Sequence, residues 1–349
     1  MPAMAWLLYG ANGYTGRLAA RLAVARGERP VLAGRDPGKI GALAAELGLD
    51  HRAFDLRDPA AVQAGLAGVD VVAHCAGPFS ATALPMVEAC LATGTHYLDV
   101  TGEIAVFEAL FKRADDARTA GVVLLPGAGF DVVPTDCLAA RLAEAMPDAV
   151  ALELAFVVGG GMSPGTTRTT LESMGGGGWR RVDGTLRRTP IGLPQRTVPF
   201  PSGEKQVSAI PWGDLATAYR STGIPNITTY TVIPPRQLAA LAVPLMRLGP
   251  LRRLGQAAAG LAVRGPDERT RQRTTAEIWG EVRDAAGRTL TATLTTPNAY
   301  GLTADSVVRA ATRLAAGEVP PGTHTPATAF GPDYITTLDG IAGPPAIHE

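Results

Sequence analysis

A glycine-rich stretch near the start of the chain has the residue types and spacing of a phosphate-binding turn. It consists of Gly10, Ala11, Asn12, Gly13, Tyr14, Thr15 and Gly16. The first glycine permits a sharp turn, the second lets the backbone approach a pyrophosphate, and the third lets the next helix pack on a sheet. The N–H groups and the dipole at the start of that helix favour an anion. The spacing is GxxGxxG rather than GxGxxG, so a tight turn without a ligand is the alternative.

Arg35 follows the second apolar stretch, Pro30–Ala33, and indicates which dinucleotide binds. NAD-binding turns place an acidic residue here to bind the ribose 2′-hydroxyl, whereas an arginine accommodates the 2′-phosphate of NADP. A guanidinium is planar and permanently charged, which suits a phosphate. We therefore expect NADP as the cofactor. The neighbouring Asp36 leaves NAD open, and a solvated surface arginine is the other interpretation of Arg35.

Six residues outside the glycine-rich stretch are predicted to contact the cofactor because they lie where later strands end. They are Asp55, Leu56, Ala76, Gly77, Pro78 and Phe130. Ligands of open α/β sheets bind outside the carboxyl ends of the strands, and small residues leave room for them. Each segment alone is typical of an ordinary turn, but together with the glycine-rich stretch they predict contact.

Three side chains are candidates for catalysis, namely Asp99, Asp131 and Tyr219. Asp99 and Asp131 follow the fifth and sixth predicted strands, so we expect them beside the nicotinamide, where an acid orients substrate or exchanges a proton. For Asp131, capping of the helix that begins near Pro134 is an equal alternative. Tyr219 belongs to a polar and aromatic stretch, 212–221, that either closes over a substrate or forms an ordinary surface.

Composition and charge exclude several classes of function. The 349 residues carry 32 Lys and Arg against 32 Asp and Glu, so no net field attracts nucleic acid. Cys75, Cys90 and Cys137 have neither metal-ligand spacing nor the pattern of a disulfide framework. His74 and His96 lie in strand patterns and are interpreted as core histidines. We expect no metal, no nucleic acid and a reducing, cytoplasmic location.

Strands and helices alternate over the first 130 residues, and this alternation must position the candidate residues. Strands are predicted at Trp6–Tyr9, Pro30–Ala33, His51–Asp55, Val69–Cys75, Thr95–Asp99 and Val122–Leu125. Helices are predicted near Thr15–Arg26, Pro37–Leu47, Pro59–Leu66, Ala83–Ala92 and Ile104–Ala120. Short, almost wholly apolar strands are typical of a parallel sheet covered on both faces. The fold class predicted is α/β, with an N-terminal doubly wound Rossmann domain.

The pattern changes after residue 130 and predicts a second, α+β domain on a mixed or antiparallel sheet. A helix at Pro134–Ala145, a strand at Ala149–Val158 and another at Ile227–Ile233 are followed by a hairpin of Ala276–Val282 and Thr289–Thr295. A last helix, 301–316 with Thr303 as its N-cap, and the tail behind it are expected to complete the first domain. We therefore predict a cofactor domain of residues 1–130 with 300–349, and a substrate or dimerisation domain of residues 131–299.

Four motifs in chain order resemble those of the saccharopine dehydrogenase-like oxidoreductases, closest to the bacterial branch with the trans-acting enoyl reductases. They are Gly10–Gly16, Ala76–Phe79, Tyr97–Glu103 and Pro126–Asp136, with weaker matches at Ser163–Thr167, Pro211–Thr217 and Ser221–Pro225. The resemblance implies a Rossmann domain, a second α/β domain and a C-terminal return to the first. It also implies hydride transfer, to an imine in one branch and to an enoyl chain on a carrier in the other.

The leading hypothesis is thus an NAD(P)H-dependent oxidoreductase of a small-molecule or carrier-bound substrate, expected as a homodimer. The alternative is a regulator or scaffold that binds a dinucleotide without turnover.

No stretch is apolar and long enough for a transmembrane helix. The segment Leu238–Val263 mixes apolar residues with arginines, which leaves open peripheral membrane contact, a buried helical pair or a dimer contact. The glycines of Gly175–Gly178 suggest either a lid or a plain flexible loop.

Overall fold

The chain folds into two compact units in a computed structural model that describes residues 5–161, 163, 177–233 and 265–349. The first unit comprises Met1–Thr101, Ala105–Val133 and Tyr300–Phe330, and the second comprises Gly102–Ile104, Pro134–Ala299 and Gly331–Glu349. The chain therefore leaves the first unit after Val133 and re-enters it at Tyr300. The C-terminal part of the first unit is Tyr300–Phe330, whereas residues 300–349 were predicted to belong to it.

Strands and helices are numbered in chain order over the described residues. The strands are β1 (Trp6–Tyr9), β2 (Val31–Gly34), β3 (His51–Ala53), β4 (Val71–His74), β5 (His96–Asp99), β6 (Val123–Leu125), β7 (Ala149–Val158), β8 (Gly178–Val182), β9 (Thr185–Thr189), β10 (Gln195–Phe200), β11 (Gly203–Ala209), β12 (Asn226–Thr231), β13 (Thr275–Asp284), β14 (Thr289–Pro297), β15 (Gly322–Thr323) and β16 (Ile347–His348). The helices are α1 (Tyr14–Ala25), α2 (Pro37–Leu47), α3 (Pro59–Gly65), α4 (Phe79–Thr93), α5 (Ile104–Phe111), α6 (Ala114–Ala120), α7 (Val133–Ala145), α8 (Asp214–Thr222), α9 (Glu268–Arg273), α10 (Ala299–Ala315) and α11 (Pro326–Phe330).

A seven-stranded parallel sheet forms the first unit, and its order is β15-β6-β5-β4-β1-β2-β3. The order reverses at β1, with β2 and β3 on one side and β4, β5 and β6 on the other. All neighbouring strands run parallel, as in Leu7 opposite both Val31 and Val72. This is the doubly wound topology, in which ligands bind where the strand order reverses. The predicted Rossmann fold class is confirmed.

Apolar residues on both faces of this sheet explain why its strands are short and uniformly apolar. Successive residues of a strand point to opposite faces, so Leu7 and Leu8 belong to separate buried clusters. The cluster around Leu8 also contains Val307, Val308 and Leu314 of α10, a helix some three hundred residues along the chain. The first unit thus needs α10 to cover one face of its sheet.

A mixed sheet forms the second unit, with the order β10-β11-β12-β7-β13-β14-β16 and with β8 and β9 joined through β12. Only the β12–β7 pair is parallel among the described pairings of this sheet. The predicted hairpin is present, since β13 and β14 pair antiparallel from Thr275↔Pro297 to Arg283↔Thr289. The predicted second α+β domain class is confirmed. Two further antiparallel hairpins, β8–β9 and β10–β11, belong to the same sheet.

Two helix predictions need correction. The single helix predicted at Ile104–Ala120 is two helices, α5 and α6, because the chain turns at Arg113, whose N–H donates to Leu110. The last helix begins at Ala299, so Thr303 is not its N-cap. Its hydroxyl instead accepts a hydrogen bond from the N–H of Phe130 over 2.9 Å. The segment Leu238–Val263 lies outside the described residues, and so do Gly175 and Gly176 of the glycine run, whose last glycine begins β8.

Candidate functional site

The glycine-rich stretch forms a tight turn between β1 and α1. Gly10 has a φ of +80°, and its N–H donates to the carbonyl of Ala33 over 2.8 Å. A Cβ on Gly16 would lie 2.3 Å from the Gly10 carbonyl oxygen, so a side chain there would break the turn. Helix α1 then begins at Tyr14 with Gly13 as its N-cap, and no side chain caps it. A helix that begins without a side-chain cap is a typical site for an anion.

Gly13 is under weaker local constraint than Gly10 or Gly16. It has an extended conformation, with φ −72° and ψ 171°, which any residue can adopt. A Cβ at this position would have one close neighbour, the Gly10 carbonyl oxygen at 3.1 Å, and Gly13 is exposed. Ala11 and Gly16 are buried, while Asn12, Tyr14 and Thr15 are partly exposed beside Gly13. The absent side chain therefore leaves room above the helix terminus, which fits a pyrophosphate.

The loop that follows β4 lies directly against this turn. A Cβ on Gly10 would be 2.8 Å from the backbone nitrogen of Ala76 and 2.9 Å from its Cβ. The N–H of Cys75 donates to the carbonyl of Tyr9 over 2.8 Å, which continues the sheet to the loop. Ala76 and Pro78 are half-buried and Gly77 is exposed. Two of the predicted cofactor segments, 10–16 and 76–78, are therefore brought together by β1 and β4.

Arg35 and Asp36 have different environments at the end of β2. The Asp36 carboxylate caps α2: it accepts the N–H of Lys39 over 3.1 Å and lies 3.3 Å from the Lys39 ammonium. These contacts lower the pKa of Asp36 and engage it within its own helix terminus. Arg35 is exposed at the same edge of the sheet. The residue that left NAD open therefore caps a helix, and contact of the exposed Arg35 with a 2′-phosphate stays a prediction.

Asp55 and Leu56 follow β3 at the same edge. The Asp55 carboxylate accepts hydrogen bonds from the Arg57 guanidinium over 2.7 Å and 3.1 Å and from the Arg57 N–H over 2.9 Å. These bonds lower the pKa of Asp55 to about 2. Leu56 is buried. Asp55 thus forms a local turn with Arg57, and contact of either residue with an adenine stays a prediction.

Asp99 is fully buried and joins the loops that follow β5 and β6. One of its oxygens accepts the N–H of Thr101 and the N–H of Gly127, each over 2.9 Å. The other accepts the hydroxyl of Tyr97 over 2.6 Å. Burial is the main cause that raises the pKa of Tyr97, with the nearby Asp99 charge next, so the phenol stays a donor. These contacts suit a residue that positions the two loops, and a catalytic role for Asp99 stays a prediction.

Phe130 and Asp131 lie in the loop between β6 and α7. The Phe130 N–H donates to Thr303 of α10, and a Cβ on Gly129 would be 3.0 Å from Thr303, so helix and loop are in close contact. Burial raises the pKa of Asp131 to about 7, although part of its surface is exposed. Helix α7 begins at Val133, two residues after Asp131, and the capping alternative for Asp131 stays open. Asp131 therefore combines solvent access with a pKa near neutrality.

Tyr219 lies in α8 of the second unit and is packed against an arginine. The Arg181 guanidinium stacks over its ring at 4.2 Å. Arg181 is buried and donates to the carbonyls of Leu215 and Gly184 over 2.6 Å and 2.7 Å. These contacts give Tyr219 a packing role within its own unit, and its predicted catalytic role stays a prediction. The other two catalytic candidates, Asp99 and Asp131, belong to the first unit.

Two residues near the candidate site were not predicted to take part in it. Thr82 of α4 contacts the carbonyls of Ala76 and Pro78, and Thr303 of α10 contacts the loop at Phe130. The Thr303 contact spans 173 residues, so no local pattern signals it. The carbonyls that Thr82 contacts lie four and six residues before it, and the nearer contact is the usual i→i−4 bond of a helical threonine. Among the parts of the chain that the structure describes, no group of three or more His, Cys, Asp or Glu side chains could hold a metal ion.

Comparison with known proteins agrees with this geometry. Residues 6–125 match the family described as saccharopine dehydrogenase NADP binding domain. A Mycobacterium tuberculosis protein provisionally named a trans-acting enoyl reductase is 34% identical over 180 residues, which are 48% of this chain and 43% of that protein. The trans-acting enoyl reductase of Mycobacterium leprae is 33% identical over 138 residues, 37% of this chain and 33% of that protein. The matches thus span less than half the length of these relatives.

A solved structure shares the fold over the whole chain. The apo saccharopine dehydrogenase (L-Glu forming) of Saccharomyces cerevisiae aligns with 99% of this chain and 100% of its own, with a TM-score of 0.64 and 14% sequence identity. An identity this low shows a common fold and nothing more. Within the described ranges, the helices are too short or too polar to cross a membrane.

Proposed function

From the match of residues 6–125 to the NADP-binding domain of saccharopine dehydrogenase, we propose that the protein is an NADPH-dependent oxidoreductase. The observation that carries the proposal is the start of α1, where no side chain caps the helix and Gly13 leaves room for a pyrophosphate. The anion site and the matched family point to the same cofactor.

The residues that would hold NADPH lie along one edge of the first sheet. Residues 10–16 would bind the pyrophosphate, Arg35 the 2′-phosphate, and Ala76–Pro78 and Phe130 the nicotinamide side. Bound NADPH supplies a hydride; the chain's own residues bind it, orient the substrate and exchange the proton. Asp131, whose burial raises its pKa to about 7, holds a proton near neutral pH and is our candidate proton donor.

For the substrate we propose an unsaturated group that accepts a hydride at carbon, either an imine of an amino-acid type or an enoyl group on a carrier-linked chain. Both reductions add the hydride to one atom and a proton to its neighbour, so one site with a proton donor serves either. The names of the mycobacterial relatives favour the enoyl group. Hydride transfer in the reverse direction uses the same residues.

The first test is binding and turnover with the wild-type chain. We expect NADPH to bind and its absorbance to fall when an imine or an enoyl thioester is added. Failure to bind either NADPH or NADH contradicts the proposal outright. Binding without turnover on both substrate classes would instead favour a regulator or scaffold that uses the dinucleotide as a signal.

The second test is Gly13→Val, which places a branched side chain where the pyrophosphate would lie. The backbone at Gly13 is extended, and a Cβ there requires the Gly10 carbonyl oxygen, 3.1 Å away, to shift by a few tenths of an ångström. We expect NADPH binding to be lost while the far-ultraviolet circular dichroism and the melting temperature show that the fold is kept. Isothermal titration measures the affinity. The matched control is Gly38→Val, in the first turn of α2, where a Cβ has ordinary space. Unchanged affinity in Gly13→Val would contradict the anion site.

Dimerisation, a cytoplasmic location and peripheral membrane contact through Leu238–Val263 stay predictions from the sequence. Analytical ultracentrifugation tests the homodimer, and flotation with liposomes tests the membrane contact. We also propose a division of labour, with the cofactor in the first unit and the substrate in the second.

A further inference from the structure

His74, the last residue of β4, lies in an aromatic environment beneath the loop that follows this strand. It is fully buried, with ring centres of Tyr9, Phe79 and Tyr97 at 5.5 Å, 5.4 Å and 6.1 Å. Its Nε2 atom is 3.1 Å from the hydroxyl oxygen of Thr82. Its Nδ1 atom is buried and has no hydrogen-bond partner among the described residues. Burial lowers the pKa of His74 to about 3, so the ring is neutral at physiological pH.

The Thr82 hydroxyl, in the first turns of α4, is placed between His74 and the loop. Its oxygen is 2.7 Å from the carbonyl oxygen of Ala76 and 3.0 Å from that of Pro78. Carbonyl oxygens only accept hydrogen bonds, and a hydroxyl has a single proton to donate. The hydroxyl proton must therefore be directed to these carbonyls, because two oxygens 2.7 Å apart with no proton between them would repel each other.

This proton balance fixes the tautomer of His74. Since Thr82 uses its proton on the loop, its oxygen must accept from His74, so Nε2 carries the imidazole proton and Nδ1 carries none. The atom without a partner is then a bare lone pair beside aromatic rings. The opposite tautomer would bury an N–H group without an acceptor and leave the Ala76 carbonyl without a donor, which is costlier on both counts.

The loop held in this way faces the nicotinamide half of a dinucleotide. In a sheet of this order the two halves of the cofactor lie on either side of β1, with the adenosine over β2 and the nicotinamide riboside over β4. Ala76 also packs against Gly10, so the position of its backbone limits the space beside the pyrophosphate turn. A shift of the loop would therefore change one half of the cofactor site and leave the other half as it is.

We propose that His74 and Thr82 form a positioning pair, in which the imidazole Nε2–H orients the Thr82 hydroxyl and the hydroxyl holds the Ala76–Pro78 loop in the shape that receives the nicotinamide half of NADPH. The inference rests on the proposed function, because it assumes that this edge of the sheet binds NADPH. Neither side chain touches the reacting atoms in this role. Their effect acts through the loop.

The experiment compares two ligands on Thr82→Val, a variant of the same shape without the hydroxyl. We expect the Kd for NADPH to rise about tenfold, which corresponds to about 1.4 kcal/mol. Adenosine 2′,5′-bisphosphate carries the 2′-phosphate but no nicotinamide, so its Kd should stay within about twofold, a change of about 0.4 kcal/mol. Thr82→Ser, which keeps the hydroxyl, should restore the NADPH affinity. Thr93→Val, which removes a hydroxyl near the other end of the same helix, should leave both constants unchanged.

The results separate the inference from the proposed function. If the wild-type chain binds neither ligand, the cofactor site itself is refuted. If it binds both and Thr82→Val still binds NADPH normally, or loses both ligands equally, the positioning pair is refuted and the cofactor site stands. His74→Gln places an amide N–H near the Nε2 position and should retain more affinity for NADPH than His74→Leu.

A spectroscopic readout tests the tautomer independently of binding. Two-bond proton–nitrogen correlation spectra of the imidazole distinguish the two neutral tautomers and the charged ring. We expect His74 as the Nε2–H tautomer from about pH 5 to 8, a window well above its lowered pKa. An Nδ1–H tautomer, or a ring that titrates in this window, would overturn the proton balance.

Discussion

At the scale of single residues, the glycine turn and its neighbours divide into groups that the fold needs and groups that are presented to a ligand. A Cβ at Gly10 or Gly16 would clash with neighbouring atoms of the turn, whereas Gly13 and Arg35 are exposed. Asp36, Asp55 and Asp99 have their carboxylates engaged by named donors. A carboxylate engaged in this way fixes a loop, so the exposed groups beside it are better candidates for ligand contact.

Arg35→Ser should weaken the binding of NADPH but not the binding of NADH. A charge-assisted hydrogen bond contributes about 1.5–3 kcal/mol, so we expect the Kd for NADPH to rise roughly 10- to 150-fold. The Kd for NADH should change little because NADH has no 2′-phosphate. Arg21→Ser, on the exposed face of α1 where Arg21 pairs with Glu46, is the control. An equal loss of affinity for NADPH and NADH would show that Arg35 has a structural role instead.

Asp131→Asn should change the pH dependence of the reaction. Because the pKa of Asp131 is raised to about 7, the protonated acid is present below that pH and is lost above it. The wild-type rate should therefore fall as the pH rises through about 7. The variant should be slower by a factor of about 10²–10⁴, and its rate should not show this fall. Asp50→Asn, an exposed carboxyl in the same unit, is the control.

The same group links pH to stability, with the opposite sign from a paired carboxylate. A folded-state pKa raised above the ordinary value means that the native state favours the protonated form. The contribution of Asp131 to stability is then complete below about pH 4 and is lost as the pH rises towards about 7. Urea unfolding of wild type and Asp131→Asn at pH 5 and pH 8 measures it. A wild-type stability that, relative to Asp131→Asn, is no greater at pH 5 than at pH 8 would contradict the raised pKa.

At the scale of elements, the helix that returns from the far end of the chain stabilises the cofactor-binding unit. Helix α10 contributes Val307, Val308 and Leu314 to the cluster on one face of the first sheet. Its Asp305 also pairs with Arg26 of the region following α1 over 2.5 Å and with Arg309 over 2.6 Å. An element nearly three hundred residues from β1 is therefore part of the same core.

Leu314→Ala should destabilise the first unit strongly. The side chain is almost fully buried, and truncation of a buried leucine costs about 2–5 kcal/mol. Thr312→Ala, two residues earlier and exposed, should change the free energy of unfolding by less than about 0.5 kcal/mol. Urea titration followed by circular dichroism gives both values. Similar stabilities of the two variants would contradict the packing of α10.

At the scale of the whole molecule, the chain is divided between a parallel and a mixed sheet, each with its own connectivity. The first unit is assembled from three separate stretches of chain, and the second from three others. Because the proposed anion site belongs to the parallel sheet of the first unit, we expect the two units to have separate tasks in binding cofactor and substrate.

Hydrogen exchange should show this division when NADPH is added. We expect protection in peptides that contain residues 10–16, 76–79 and 127–131, since ligand binding to the native state lowers the frequency of opening. At a concentration of about 100 times Kd the added stability is about 2.7 kcal/mol. Peptides from β10 and β11 of the second unit serve as the internal reference. Protection confined to the second unit would contradict the assignment of the cofactor to the first.

The sequence by itself determined what depends on local pattern. Glycine spacing identified the turn, apolar periodicity placed β1 to β7 and most helices within a few residues, and the motifs indicated the family. Long-range contacts depend on the tertiary structure. Thr303 of α10 contacts Phe130 across 173 residues, and local periodicity contains no information about a contact made over such a distance. Asp36 and Thr82, by contrast, contact partners three to six residues away in the sequence. Burial, which raises the pKa of Asp131 and lowers that of His74, likewise exists only once the sheet is covered.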